Sequence, residues 1–333
     1  MQKEVFKTKI GGQAVIEGIA MRGPEQTCLA VRLPDGSIHT ELTATKKNPV
    51  GNIPILRGAV AMVISLAQGY KHLMKAADYA FPEEKKTEEG AAHITDAAAA
   101  SETTRSNTKA DSVSDETVGE SDSAAEEKKT SWLGVAGGVL GGLLSIGLFV
   151  LLPTVLTGIL SRFFQIDGYK SLIEGVLKIV IFVGYLFAVT RISDVRRVFE
   201  YHGAEHKTIA CYEHRSELTV GNVRKYSRFH PRCGTSFLFI VLIISILIFS
   251  FVPWGSTLAR VGLKILLLPL IMGISHEIIQ YAGSHDNLLS RMLSAPGKWI
   301  QRLTAFEPSD DQIEIAIASL VAVLPDDENK AKW

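Results

Sequence analysis

Four long apolar segments restrict what this chain can fold into more than any other feature of its sequence. They cover residues 135–160, 172–190, 236–254 and 258–282. Each is close to or above the length of about 20 residues that a helix needs to cross a bilayer. The sequence therefore predicts a multi-pass membrane protein with about four transmembrane helices. Glu174 and Lys178 lie four residues apart in the second segment and are expected to pair with each other.

The segment 82–130, in contrast, is polar and acidic. It contains 13 acidic and 6 basic residues and no aromatic residue, and its only large aliphatic residues are Ile94, Val113 and Val118. Ordering a chain costs roughly 1–2 kcal/mol of backbone entropy per residue, which so little apolar surface cannot offset. We therefore expect a disordered acidic linker. Because the whole chain has 35 basic and 35 acidic residues, the remainder is basic overall.

Positive charge is concentrated between the second and third apolar segments. Nine basic residues lie there: Arg191, Arg196, Arg197, Lys207, Arg215, Arg224, Lys225, Arg228 and Arg232. The other two connections between apolar segments carry only Arg162 and Lys170. Basic loops of membrane proteins stay on the cytoplasmic side. The loop 191–235 is therefore expected in the cytoplasm, and an even number of spans puts both termini there as well.

Both ends of the chain have the patterns of small folded elements. Residues 27–44 alternate apolar and polar side chains on either side of a Pro-Asp-Gly turn, which predicts a β-hairpin. Residues 55–80 have the apolar spacing of a helix. Ser309 and Gln312 form a capping box that opens an amphipathic C-terminal helix.

The predicted fold class is an α-helical multi-pass membrane protein with a small N-terminal α+β cytoplasmic unit and an amphipathic C-terminal helix. The expected boundaries are 1–81 for the N-terminal hairpin and helix, 82–130 for the acidic linker, 131–190 for the first two spans, 191–235 for the basic loop, 236–282 for the last two spans and 283–333 for the C-terminal tail.

The basic loop contains the residues best suited to chemistry. His202 and His206 are four residues apart, so on a helix both imidazoles point the same way, as in helical two-histidine metal sites. Glu205 lies near the same helix face. His-x-x-Glu-His is the inverzincin pattern, in which the histidines bind zinc and the glutamate activates a water. The sequence thus predicts a divalent metal, zinc, on His202 and His206, with Glu205 as the catalytic base.

Three further residues are candidate metal ligands. His230 and Cys233 lie three apart in a turn, and Glu277 is expected at the cytoplasmic end of the last span. An ionisable residue within a span is costly to bury, which favours a role for Glu277 at a site. Four protein ligands would make a closed structural zinc site, whereas three would leave a position open for catalysis. The simpler alternatives are a polar helix face, a turn into the next span and an interfacial glutamate.

Two functions of different classes fit these residues. The first is a metal-dependent membrane hydrolase. The second is a non-enzymatic membrane adaptor or biogenesis factor, in which a structural metal or the His and Cys cluster holds the loop while the basic surface docks the translocation machinery or the ribosome. The expected partners are the lipid bilayer and either anionic lipid or the membrane-protein biogenesis machinery, not DNA. A solute transporter fits less well, because the four spans offer few internal polar groups.

Four strings of the sequence together resemble a known family. They are GGQAVIEGIAMRGP at 11–24, YHGAEHK at 201–207, HPRCGTS at 230–236 and LTAFEP at 303–308. In this order they resemble the YqhQ-like family of bacterial membrane proteins, and the resemblance covers nearly the whole chain outside the acidic linker.

The resemblance implies an N-terminal cytoplasmic part, several spans in the bacterial cell membrane, and a metal-dependent enzyme without an assigned reaction. It puts the metal on His202, His206, His230 and Cys233. It also adds Glu17 and Arg22 as motif residues without a known role, and it implies that the acidic linker is a variable insertion.

Overall fold

A computed structural model describes residues 6–46, 48–82, 137–252 and 256–332 of the protein. The chain forms two compact units: the larger contains the described residues of 1–81 and 153–333, and the smaller those of 82–152. In the smaller unit residues 137–152 are helical. Apart from Pro82, the predicted disordered linker lies outside the described residues.

The N-terminal part of the larger unit is a four-stranded antiparallel sheet. Its strands follow one another in space as in sequence: β1 Gly11–Val15, β2 Gly18–Arg22, β3 Gln26–Arg32 and β4 Ile38–Ala44. The predicted hairpin is confirmed as the pair β3 and β4, in which Arg32 is paired with Ile38. Gly36 has a φ of 86°, a left-handed conformation that glycine adopts without strain and that the turn requires.

Helices make up most of the described residues outside the sheet. They are α1 Leu56–Ala80, α2 Gly137–Phe163, α3 Lys170–Val189, α4 Ser193–Glu213, α5 Val220–Val223, α6 Gly234–Ser250, α7 Thr257–Ser284, α8 Leu288–Thr304, α9 Asp310–Val321 and α10 Glu328–Ala331. Helices α1 and α9 confirm two sequence predictions, and the capping box of Ser309 and Gln312 is present at the start of α9.

Three helices are long and apolar enough to cross a membrane. They are α2, α3 and α7, and only 11%, 17% and 28% of their most apolar windows are buried against protein. The remaining predicted span, the third in the sequence, corresponds to α6, which is apolar but has 17 residues. It ends at Ser250, before Pro253, because proline disfavours the helical conformation in the residue that precedes it.

A hydrophobic core joins the sheet to α4 and α9. Ile19, Tyr201 and Ile313 are each at most 1% exposed and belong to one cluster. The hydroxyl of Ser319 in α9 lies 3.2 Å from the carbonyl oxygens of Ile19 and Cys28 and donates to them. The N-terminal sheet, the basic loop and the C-terminal tail therefore pack as one body, which holds α4 in a fixed position.

Glu174 of α3 lies at the centre of a buried charged cluster among the apolar helices. Its carboxylate accepts a hydrogen bond from Arg260 Nη2 at 3.1 Å and pairs with Lys264, and these three residues are each 2% exposed. The expected pair between Glu174 and Lys178 is therefore wrong. The ammonium of Lys178 instead lies 5.1 Å from the centroid of the Phe249 ring, because α7 brings two other cations to the carboxylate.

Candidate metal centre

Helix α4 carries three of the predicted site residues. Glu205 and His206 are 5% and 2% exposed, and His202 is half-buried. The helix packs closely against the segment that follows α8, since a Cβ atom on Gly203 would lie 1.9 Å from the carbonyl oxygen of Phe306. Only glycine permits this approach, which brings His202 to the C-terminal end of α8.

Cys233 completes a cluster with the two histidines of α4. It caps the N-terminus of α6, where its Sγ accepts a hydrogen bond from the Thr235 N–H at 3.4 Å. Sγ lies 3.1 Å from Nε2 of His202, and the two imidazole centroids are 4.3 Å apart. One ligand atom from each of the three residues lies within 4.8 Å of the others. The structure thus brings His202, His206 and Cys233 together.

Two backbone carbonyls fix the orientation of the imidazoles. Nδ1 of His202 donates to the carbonyl of Thr304 at 2.6 Å, and Nδ1 of His206 donates to the carbonyl of Arg228 at 2.6 Å. A carbonyl oxygen can only accept, so each Nδ1 carries a proton and Nε2 is left as the available ligand atom. Histidines that bind metals have their second nitrogen fixed in the same way.

The buried thiol and imidazoles alter one another's ionisation. Burial alone would raise the pKa of Cys233, but the facing imidazoles of His202 and His206 outweigh it and hold the pKa well below its usual range. Burial alone would lower the pKa of His202, but the charges of Cys233 and Glu205 raise the pKa to about 9. These shifts favour a thiolate on Cys233, the form in which cysteine binds metals, paired with an imidazolium on His202 whose Nε2 proton a bound cation would replace.

Glu205 lies beside the cluster with one carboxylate oxygen held and the other available. Oε1 accepts a hydrogen bond from the Gly12 N–H at 2.9 Å, and among the described residues nothing donates to Oε2. The side chain lines a cavity of about 700 Å³ together with His202, His206 and Cys233. Burial raises the pKa of Glu205 despite the nearby imidazoles. A buried carboxylate with a raised pKa beside a cavity has the properties of a general base.

The predicted ligand His230 lies next to the cluster but outside the group of three. Its ring centroid is 5.6 Å from that of His206, and its Nε2 is 3.5 Å from Oε2 of Glu213. Its backbone N–H donates to Oε1 of Gln301 at 2.8 Å. These contacts fix the turn 230–233, so His230 positions the segment that carries Cys233.

The structure does not bring the predicted ligand Glu277 to the cluster. Its Oε1 accepts hydrogen bonds from Arg57 Nε at 2.7 Å and from the Ile55 N–H at 3.2 Å, and its Oε2 pairs with the Arg57 guanidinium. These contacts join α7 to the start of α1. The carboxylate is therefore used to hold two helices together, which the sequence did not reveal because Arg57 is 220 residues away.

Sequence reasoning missed the backbone groups that build the site. The Gly12 N–H and the Thr304 carbonyl carry no residue-type signal, but both lie within strings that mark the family resemblance. Glu17 belongs to one of these strings. It has a φ of 49°, pairs with Arg197 and accepts a hydrogen bond from the Tyr201 hydroxyl at 3.2 Å. Through these contacts Glu17 connects the turn between β1 and β2 with α4.

Comparison with known proteins extends the resemblance to most of the chain. Residues 53–326 match the family described as "Protein of unknown function (DUF1385)". The chain is 34% identical to "Uncharacterized protein YqhQ" of Bacillus subtilis (strain 168) over 335 residues, which cover 97% of this chain and 95% of that protein. No solved structure matches it. With both comparisons extending far beyond the four strings, the chain belongs to the YqhQ-like family of DUF1385 proteins.

Proposed function

We propose that this protein is a metal-dependent hydrolase of the bacterial cell membrane, with the metal held by His202, His206 and Cys233. One observation carries the proposal: two imidazoles and a thiol converge within 4.8 Å at a cavity that Glu205 also lines. A buried group of ionisable side chains with shifted pKa values is costly to fold, and such groups concentrate at functional sites.

The three side chains fit a zinc ion in type and spacing. Zinc binds imidazole nitrogen at about 2.0–2.1 Å and thiolate at about 2.3 Å, so tetrahedral ligand atoms lie roughly 3.3–3.8 Å apart. The 3.1 Å between His202 Nε2 and Cys233 Sγ is close to this spacing. The other separations are at most 4.8 Å, so each has to shorten by at most about 1.5 Å to reach this spacing.

The arrangement favours a catalytic role over a structural one. Three protein ligands leave one position of a tetrahedral zinc ion open, as in catalytic sites. When bound, zinc supplies Lewis acidity and brings the pKa of a coordinated water to about 7. Glu205 accepts a proton from water in the cavity through Oε2, while Gly12 holds Oε1, and returns the proton to the leaving group.

A nucleophilic cysteine is the second chemistry that the cluster suggests. Cys233 lies at a helix N-terminus with an imidazole nitrogen 3.1 Å from its sulfur, as an activated thiol does. A thiol nucleophile needs one base, however, and here a second imidazole, that of His206, is oriented by its own carbonyl partner. Two fixed imidazoles around one thiolate favour metal binding.

The proposal also includes insertion of the chain into the membrane and its orientation there. Helices α2, α3 and α7 have the length and composition of spans, and α6 serves as a fourth because its 17 residues extend about 25 Å. The nine basic residues of 191–232 orient the metal centre and both termini toward the cytoplasm.

An impermeant maleimide on intact cells is expected to label Gly168→Cys but not Lys225→Cys. The reverse labelling would contradict this orientation.

Metal content tests the proposal directly. Protein purified without chelators is expected to contain about one zinc ion per chain, because three ligands and a fixed geometry give tight binding. His206→Ala and Cys233→Ala are each expected to reduce zinc to background in elemental analysis. Matched controls are His214→Ala, an exposed histidine at the end of the same helix, and Cys211→Ala, a buried cysteine outside the cluster. Both controls should keep the metal.

Cobalt substitution identifies the sulfur ligand. The parent protein loaded with Co²⁺ is expected to show a thiolate-to-cobalt charge-transfer band that Cys233→Ala lacks and Cys211→Ala retains. Circular dichroism of each variant verifies that the fold is intact. A folded parent without bound metal, or cluster variants with metal content equal to that of the controls, would refute the metal centre. If added zinc does not slow the alkylation of Cys233, this result would favour the nucleophilic thiol.

A further inference from the structure

The cavity beside the His202, His206 and Cys233 cluster adjoins a second, apolar cavity. The first has a volume of about 700 Å³ and the second about 820 Å³, both within the range of about 300–1,000 Å³ typical of ligand sites. Nine residues line both cavities, among them Cys233 and its neighbour Gly234. The two cavities are therefore adjacent, and Cys233 of the cluster lies at their common boundary.

The walls of the apolar cavity come from helices with surfaces suited to lipid. Met62, Leu66 and Leu73 of α1 form one wall, and Phe237 and Leu238 of α6 contribute to the other. Leu66 is 60% exposed and Leu238 is 43% exposed. Helix α6 is mostly apolar, so its exposed side chains at the cavity are suited to meet the hydrocarbon of a bilayer.

The boundary between the two cavities is positively charged. Lys9, Arg22 and Arg232 line both cavities, and Glu205 is the sole acidic residue among those that line either one. Arg232 is neutralised by its pair with Glu213. Arg22 donates from Nη2 to the carbonyl of Lys46 at 2.8 Å, and within the described ranges neither it nor Lys9 pairs with a carboxylate.

We propose that the two adjacent cavities together bind an anionic membrane phospholipid, which is the substrate class of the metal centre. The phosphate group lies against Arg22 and Lys9, and an acyl chain fills the apolar cavity between α1 and α6. The ester bonds next to the phosphate then face His202, His206 and Cys233. This inference rests on the proposed hydrolase function, but binding of the lipid does not require the metal.

The two parts of the site explain why a lipid is favoured over a soluble phosphate ester. A soluble ester would use only the polar cavity and would leave the apolar cavity of about 820 Å³ without a role. A lipid without a phosphate would leave Arg22 and Lys9 without an acid partner, and the choline cation of a zwitterionic lipid would lie against like charge. Arginine binds phosphate oxygens through two parallel hydrogen bonds, so Arg22 is the stronger of the two contacts.

Native mass spectrometry of the zinc-free protein in a neutral detergent tests this assignment. Dioleoylphosphatidylglycerol is expected to be retained about tenfold better than dioleoylphosphatidylcholine, because both offer the same phosphate oxygens but the choline cation of the second is repelled by the basic residues. Arg22→Gln is expected to remove most of this preference, and Lys9→Gln, on an exposed side chain, part of it. Arg302→Gln is the matched control, because Arg302 is exposed and lines neither cavity.

The apolar part has its own pair of variants. Leu66→Glu puts a charge into the apolar cavity and is expected to abolish retention of the lipid. Val63→Glu changes the same helix at a residue that is 62% exposed and does not line the cavity, so it should have no effect. Equal retention of the lipid by both variants would show that no acyl chain occupies this cavity and overturn the proposal. Displacement of the lipid by glycerol phosphate at similar concentration would show that the ligand is a soluble phosphate ester and overturn it as well.

The outcomes separate this inference from the proposed function. Retention of phosphatidylglycerol by a protein that binds no zinc would refute the hydrolase and keep the lipid site. Zinc bound at the cluster without any preference between the two lipids would keep the metal centre and refute the substrate class. Thermal unfolding of Arg22→Gln shows whether loss of its contact with Lys46 has damaged the sheet, and Lys9→Gln then gives the independent answer.

Discussion

Glu174→Ala is expected to lower the free energy of unfolding by about 3–5 kcal/mol, because it removes one partner of a buried ion pair and leaves buried charge behind. Arg260 and Lys264 both contact this carboxylate, and each is 2% exposed. The three residues lie within helices that have the composition of membrane spans, where uncompensated charge is especially costly.

Thermal unfolding in detergent measures this effect, with Glu217→Ala as the matched control at an exposed glutamate. A triple variant, Glu174→Leu with Arg260→Leu and Lys264→Leu, is expected to recover most of the stability, since apolar replacement of a whole buried charge cluster is often neutral. If Glu174→Ala shifted the unfolding temperature no more than the control did, the cluster would not hold α3 and α7 together.

Local patterns in the sequence predicted the elements that depend on local physics. The Pro-Asp-Gly turn fixed the hairpin of β3 and β4, and the capping box fixed the start of α9, because both signals act within a few residues. The four-residue spacing of His202 and His206 likewise predicted that the two imidazoles share a side of α4, and their ring centroids are 4.3 Å apart.

Contacts between distant segments could not be predicted in this way. We expected Glu174 to pair with Lys178 within α3, but its carboxylate instead pairs with Arg260 and Lys264 of α7. Glu277 was expected at the metal centre, yet Arg57 binds it. In both cases the carboxylate pairs with a cation from a distant part of the chain. The sequence does not show which segments 80 or more residues apart lie close together in the fold.

The length of α6 shows a further limit of reasoning from composition. Hydropathy alone extended the third apolar segment to residue 254, whereas the helix ends at Ser250. Its first residue is fixed by Cys233, which caps the helix and also belongs to the cluster with His202 and His206. The start of this helix and the position of one candidate ligand are therefore set by the same residue, which links the apolar helices to the site.

Glu205→Gln is expected to reduce hydrolysis by about 10²–10⁴-fold while zinc content stays that of the parent, because a general base contributes about that much and does not bind the metal. Glutamine keeps the shape of the side chain and can still accept a hydrogen bond from Gly12, but it cannot take up a proton. His206→Ala should lose both zinc and activity, so the two variants separate the roles of base and ligand.

The measurement uses zinc-loaded protein with a total polar lipid extract, in which mass spectrometry follows whichever anionic lipid is consumed. Glu200→Gln is the control, because Glu200 lies on the same helix but does not line the cavity.

Burial raises the pKa of Glu205, so in the parent the rate should fall as the pH drops through this raised pKa and the base becomes protonated. Lipid consumption by Glu205→Gln at the rate of the Glu200→Gln control would exclude Glu205 as the base. If even the zinc-loaded parent consumed no lipid, the metal would have a structural role and the chain would act as the membrane adaptor that its basic loop also permits.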